Sequence, residues 1–344
     1  MTAAEEFTEF ATGASPRLRR TAFLRCGNWH TAEDLAQTTL AITPGGKTAY
    51  VVNDDSSCLW RWPGIRYAAR VEEDGGTVGW RALNRANWDD RVPVHLASSF
   101  YDLGAFRAGA DSLRPFEPAE AGDVTGKHLI HLQCHIGLDT ISWARRGALV
   151  SGLDFSAPAI SAASALAHEL GIEASFVVSD VYDAVAAFGG RRFDIVYTGI
   201  GALVWLPDIP RWARVVAELL APGGFLYLVE GHPFAQVLDE ASGLGLVVAR
   251  DYFDSGPEVQ DWAYTYTDGP ALDHVRSVQF QHGVGEIITA LVQAGLRIEF
   301  LHEFNFDAFG RFDSLRRQED GTYRFPDGGP RLPLIFSVRA SRGV

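Results

Sequence analysis

His128-Leu129-Ile130-His131-Leu132-Gln133-Cys134-His135-Ile136-Gly137-Leu138-Asp139 reads as a buried strand that runs into a tight loop and then a helix. Twenty residues past Cys134, the apolar run Ala148-Leu149-Val150-Ser151-Gly152-Leu153 ends in Asp154. A strand, a Gly-containing loop, a helix and an acid at the end of the next strand make up half of a nucleotide-binding unit. The acid can hold ribose hydroxyls while the backbone of the loop packs against the ligand.

The same alternation continues downstream. Leu138 to Arg146 has helical spacing of its apolar residues, and Leu149 to Asp154 is a strand. Ser156 before Pro158 is an N-cap signature for a helix from Ala157 to Leu170, and Gly171 closes it. Ala174–Val178 and Phe193–Tyr197 read as further strands, the second followed by Thr198-Gly199-Ile200-Gly201. Asp208 to Leu220 is a helix, Pro222-Gly223-Gly224 a turn, and Phe225–Glu230 the fifth core strand. Strictly alternating strands and helices imply a parallel sheet covered on both faces, with ligands outside the carboxyl ends of the strands.

The order and spacing of these pieces resemble the class I S-adenosylmethionine-dependent methyltransferases. The carriers are Leu132 to Gly137, Gly152-Leu153-Asp154-Phe155-Ser156, Val178-Ser179-Asp180-Val181, Phe193 to Tyr197 and Leu220-Ala221-Pro222-Gly223-Gly224-Phe225. The resemblance spans roughly residues 85 to 340 and implies a Rossmann-like α/β fold. That fold has a seven-stranded, mostly parallel sheet with an antiparallel last strand. It also implies S-adenosylmethionine as cofactor. The backbone from Leu132, Gln133 and Cys134 to Gly137 would face its methionine end. Asp154 and Ser156 would lie at the ribose, with Phe155 stacked near the adenine. Asp180 would bond the adenine amino group, with Val181 beside the ring. Thr198, Gly199 and Ile200 would form the floor under the methyl donor. The chain departs from the family at the first loop, where Gln133 and His135 stand in place of two glycines. Gly permits close approach and positive φ more easily than either, so these side chains are expected to contact the ligand in a differently shaped loop.

Upstream, Ser15-Pro16 and Thr31-x-x-Asp34 look like helix starts. Residues 9–37 resemble the opening of region 2 of extracytoplasmic-function sigma factors, which implies a contact with RNA polymerase; no promoter-reading helix follows. Ala41 to Asn53 looks like one strand-turn-strand piece, and Gly64 to Gly79 like a linker. The expected organisation is therefore an appendage over residues 1–75, a fused leader without activity of its own, and a methyltransferase domain over 76–344. Asn84 to Arg91 is a short helix that Pro93 is expected to break. Trp88, Tyr101 and Phe116 are candidates for the substrate pocket.

Past the fifth strand, residues 232–282 are rich in aromatic residues and too long for a plain connection. They are expected to form a strand-bearing cap over the acceptor, to which Tyr252 would contribute. Gly283–Gly295 is an amphipathic helix. Leu296–Glu303 and Leu332–Val338 follow without a crossover helix, which predicts an antiparallel hairpin. Methyl transfer needs a positioned acceptor and can use a base. His232, at the mouth of the fifth strand, is the first candidate and His282 the second.

Composition narrows the partners. The net charge of −13 speaks against a general nucleic-acid surface. The longest apolar runs fall well short of the ~20 residues a membrane span needs. The N-terminus lacks the basic start and apolar core of a signal peptide. Three scattered cysteines suggest reduced thiols, a cytoplasmic setting and no zinc knuckle, and no cluster has metal-ligand spacing. The reading is a methyltransferase for a small-molecule acceptor. Its alternatives are a non-catalytic, sigma-like regulator and an NAD-dependent oxidoreductase, against which the missing Gly-x-Gly-x-x-Gly speaks.

Overall fold

The computed structural model describes residues 40–42, 49–51, 78–241 and 245–343. Two units divide the chain, Met1–Arg66 and Tyr67–Val344. Within the first, β1 (Leu40–Ile42) pairs antiparallel with β2 (Ala49–Val51), as the strand-turn-strand reading expects. The sigma-like helices and most of the expected linker lie outside the described residues.

The second unit opens with α1 (Val78–Ala97), a 20-residue helix that contains Pro93. This corrects the expectation of a short helix ending before Pro93. The proline sits on the exposed face, while Asn84, Asn87, Arg91 and His95 are buried along the other. Asn84 and Asn87 bond to the distant Val278 and His274 carbonyls and His95 to the His135 and Thr265 side chains, and that tertiary anchoring outweighs the single helical hydrogen bond a proline removes. Two short helices follow, α2 (Leu103–Arg107) and α3 (Phe116–Ala121).

The core then alternates: β3 (His128–Leu132), α4 (Leu138–Arg145), β4 (Leu149–Asp154), α5 (Ala157–Glu169) and β5 (Ala174–Val178). Next come α6 (Ala184–Ala187), β6 (Phe193–Thr198), α7 (Ile209–Leu219) and β7 (Leu220–Gly231). Ser156 caps α5 by accepting from the Ala159 amide. The expected turn at Pro222-Gly223-Gly224 is an irregular stretch inside β7, where Leu220 pairs Phe193 and Phe225 pairs Ile195. A side chain on Gly224 would lie 2.8 Å from the Asp194 carbonyl oxygen, so only glycine lets the two backbones approach there.

The remaining elements are α8 (Pro233–Gln236), the hairpin β8 (Leu238–Ala241) with β9 (Gly245–Val248), and the hairpin β10 (Glu258–Asp261) with β11 (Arg276–Gln279). They continue with α9 (Val284–Gln293), β12 (Leu296–Phe304), a small hairpin of β13 (Arg316–Arg317) and β14 (Tyr323–Arg324), and β15 (Ile335–Arg342).

One seven-stranded sheet runs in the order β12-β15-β7-β6-β3-β4-β5. Pairings among β3 to β7 are parallel, and β15 is antiparallel to both β7 and β12. This is the Rossmann-like methyltransferase fold with its antiparallel late strand. A core of Trp212, Val216, Leu228 and Leu291 packs α7 and α9 on one face. Trp143, Tyr197, Tyr227 and Leu129 fill the other. The strand order reverses beside β3, and the carboxyl ends of β3, β4, β5 and β6 therefore open into one crevice.

Candidate functional site

The loop after β3 is built from strained backbone. Gln133 has φ of 57° and His135 of 48°, and Gly137 follows at 80°. The two residues that replace glycines thus keep the left-handed conformation that glycine would adopt, at a cost of roughly 1–2 kcal/mol each. Their surroundings hold them there. The Cys134 amide donates to the Leu153 carbonyl at 2.9 Å, and the His135 amide to Asp154 Oδ2 at 2.9 Å. Gln133 Nε2 donates to the Ala202 carbonyl at 3.0 Å, tying this loop to the one after β6. Gly137 is required by space as well: a Cβ there would meet Ala163 Cβ at 2.7 Å.

Asp154 ends β4 and is buried. Its other oxygen accepts from the Ser156 amide at 2.9 Å. Burial pushes its carboxyl up to about 6, against the pull of the backbone bonds from Ser156 and His135. Ser156 Oγ donates in turn to Asp89 of α1 at 2.6 Å. Asp180 ends the segment after β5. It accepts from the Tyr182 amide at 2.9 Å and pairs with Arg81 of α1 at 2.6 Å. Beyond β6, buried Glu230 accepts from the amides of Gly201, Ala202 and Leu203, and from its own neighbour Gly231. It fixes the end of the loop after β6, from Gly201 to Leu203.

These ends enclose a cavity of about 640 Å³, a size that suits a small molecule or cofactor. Gln133, Cys134, Gly137, Asp154, Phe155, Asp180, Val181, Gly199 and Ile200 line it, as do Trp88 and Tyr101. Leu132, Ser156 and Thr198 lie just behind as buried support. The other expected residues do not line the cavity. Phe116 packs on Phe304 and Phe306. The Tyr252 hydroxyl accepts from the Val284 amide. His232 caps α8 through the Phe234 amide and meets Glu303 at 2.9 Å; burial lowers its pKa despite that partner. His282 is held by the Leu206 carbonyl at 2.6 Å and by Glu286. Both candidate histidines are thus engaged outside the cavity. Of the expected cap, Tyr266, Thr267 and Asp268 line the cavity, while Ala308, Phe309 and residues around β13 and β14 close another side.

Several polar residues in the cavity wall, or behind it, were not among the sequence candidates: His131 and Asp139 line it, while His95, Arg91 and Glu117 lie outside the lining. His95 Nδ1 lies 2.8 Å from His135 Nε2, and His95 Nε2 2.8 Å from Thr265 Oγ1. Burial drives His95 to about 2 and His135 to about 3, so both rings are neutral and one donates to the other. Trp88 packs edge-on to His135, and Arg91 lies over Trp88 and Trp205. On the opposite side, His131 of β3 is bound through Nδ1 to Thr140 Oγ1 at 2.9 Å and is pushed down to about 3 by burial. Asp139, in the first turn of α4, is pushed up by burial against a hydrogen bond from Ser112 and the charge of Arg114. Glu117 receives the Tyr197 hydroxyl at 2.6 Å, and burial raises it to about 7. The periodicity of His95 on α1 and the inward position of His131 on β3 were the only sequence signals available for any of them.

The residues fit an adenine-nucleoside cofactor. Two acidic side chains stand at neighbouring strand ends. Two buried polar atoms of the first loop, Gln133 Oε1 and His135 Nδ1, have no partner among the described residues, and buried polar groups ordinarily find one. Among the described residues no group of acidic, histidine or cysteine side chains has metal-binding geometry, and no helix is long and apolar enough to cross a membrane.

Comparison with known proteins agrees with this geometry. Residues 130–224 match the model of a methyltransferase domain. The chain is 34% identical over 136 residues to ubiquinone biosynthesis O-methyltransferases of Escherichia coli O127:H6 and Escherichia fergusonii. In each case the match takes in 38% of this chain and 56% of the relative, so the chain spans little more than half the length of these relatives. Among solved structures, an S-adenosylmethionine dependent methyltransferase from Mesorhizobium loti is similar in fold. It has a TM-score of 0.50 and 24% identity, over 69% of this chain and 100% of that one.

Proposed function

We propose that this chain is an S-adenosylmethionine-dependent methyltransferase acting on a small-molecule acceptor. The observation that carries the reading is the first loop. Gln133 and His135 hold left-handed backbone where glycine would serve, and the loop is bonded directly to Asp154 at the end of the next strand. Strain of this kind persists where a site demands the shape.

In this reading the backbone of Gln133 to Gly137 holds the methionine end of the cofactor, and His135 Nδ1 and Gln133 Oε1 offer it polar contacts. Asp154 accepts from the ribose hydroxyls. Phe155 and Val181 flank the adenine. Asp180 takes the amino group, with Arg81 fixing the orientation of its carboxylate. Gly199 to Gly201, clamped by Glu230, form the floor. When bound, the cofactor supplies a methyl group on a positively charged sulfur. The chain's own work is to hold the two partners in line and to keep water away with Trp88, Trp205 and Tyr266. His232 and His282 have no part in this chemistry, because both are committed elsewhere.

Calorimetric titration of the purified chain with S-adenosylmethionine, and separately with NAD, tests the reading. Micromolar binding of the first, absent for NAD and lost in Asp154→Ala, is the expected result. Binding of NAD alone, or affinity for S-adenosylmethionine untouched by the substitution, would sink it.

A further inference from the structure

Gly199 is the first residue after β6 and lines the cavity. A Cβ built on it would lie 3.4 Å from the Tyr197 hydroxyl oxygen, 3.5 Å from Asp139 Oδ2 and 3.6 Å from His131 Nε2. Three polar atoms from β6, α4 and β3 thus converge on the small space that the absent side chain leaves. The Tyr197 hydroxyl is spent on Glu117 at 2.6 Å, and its remaining lone pairs can only accept. His131 is anchored through Nδ1 on Thr140, which turns Nε2 toward Gly199. Asp139 lies in the first turn of α4 and lines the same cavity. The Tyr197 oxygen and the Asp139 carboxylate can accept here, and in the tautomer in which Thr140 donates to Nδ1 the His131 Nε2–H donates, a set that suits a hydroxyl, which brings one proton and an accepting oxygen. The same cavity has an aromatic wall, with Phe100 stacked on Phe309 at 5.9 Å and Tyr266 against Phe309 at 5.2 Å.

We propose that the space over Gly199 receives the hydroxyl of a flat aromatic acceptor, with Asp139 as the base that takes its proton and His131 Nε2–H as the donor that aligns its oxygen. This rests on the methyltransferase reading above. The acceptor O–H bond breaks and its proton passes to Asp139. The oxygen's electron pair forms the new bond to the methyl carbon, and the C–S bond that breaks leaves its pair on sulfur, which becomes neutral. A buried carboxylate is more basic than an exposed one and so is suited to the task.

The test uses the full chain and nitrocatechol, a chromophoric phenol. S-adenosylhomocysteine binding is measured first by calorimetry; without it the cofactor reading fails and this inference with it. Nitrocatechol is then titrated into the saturated complex by absorbance, and its methylation in the presence of S-adenosylmethionine is followed by mass spectrometry. Gly199→Ala adds only a methyl group at ordinary contact distances and at an unstrained φ, so it should fold; because Gly199 also belongs to the cofactor floor, its S-adenosylhomocysteine affinity is measured in parallel and nitrocatechol is titrated only at saturation. The substitution should weaken nitrocatechol by at least about tenfold. Asp139→Asn should keep nitrocatechol affinity within a few fold but slow its methylation by about 100-fold or more, the usual loss of a general base. Failure of nitrocatechol to bind the saturated complex, unchanged affinity in Gly199→Ala, or unchanged turnover in Asp139→Asn would each overturn the proposal.

Discussion

The close packing of the first loop against α5 gives a stability prediction whose parts can be separated. Gly137 sits at the start of α4 with φ of 80°. An alanine there would bring its Cβ to 2.7 Å from Ala163 Cβ and to 3.1 and 3.2 Å from the Phe176 ring. The left-handed backbone alone costs a non-glycine residue about 1–2 kcal/mol. Overfilling a packed contact adds about 1–3 kcal/mol, because Ala163 is a short side chain on a helix and has nowhere to swing. Gly137→Ala should therefore lose roughly 2–5 kcal/mol. At about 2–4 °C per kcal/mol for a domain of this size, the Tm should fall by roughly 4–20 °C. Gly201→Ala is the matched control. Its φ is 84°, but a Cβ there meets nothing within 4 Å, so it should lose only the backbone part, about 1–2 kcal/mol. Urea unfolding followed by circular dichroism measures both. Equal losses in the two variants would mean that the loop does not press on α5, and the derivation of the site from that contact would fail.

Two further outcomes follow from buried carboxylates. Asp154 stands at about 6 in the folded chain against an ordinary 3.8. Protonation therefore favours the fold: that contribution is complete below about 3.8 and is lost as pH rises through about 6. A ribose needs the ionised form, so S-adenosylmethionine affinity should weaken by up to about tenfold per unit as pH falls below 6. Calorimetry from pH 7 to 5 would show it, and a flat profile would refute it. Glu230→Ala should cost about 3 kcal/mol or more, since it strands the Gly201, Ala202 and Leu203 amides in a buried loop. Glu230→Gln, which keeps an acceptor oxygen, should cost less. Urea midpoints for the pair decide this, and equal values would argue against the clamp.

The sheet was largely legible from local pattern. Alternation of apolar runs with helical spacing, the Ser156 cap and the missing crossover before β15 are short-range signals, set by backbone hydrogen bonding within a few residues. So were Asp154 and the two odd positions of the first loop. Pro93 misled, because the hydrogen bonds that carry α1 past it come from partners far away: Asn84 exchanges bonds with Val278 across 194 positions. The expected histidines misled for the same reason. A histidine at a strand mouth looks available until its partner, Glu303 for His232 or the Leu206 carbonyl for His282, is brought alongside.

By itself the sequence determined the class of fold, the alternation of strands and helices along the chain and the places where acids meet strand ends, because periodicity and caps act along the chain. Only the tertiary structure decided that His131, Asp139 and Tyr197 surround the bare Cα of Gly199 while His232 and His282 turn elsewhere. The direction of a side chain depends on what packs against it, and those neighbours lie far away in the chain.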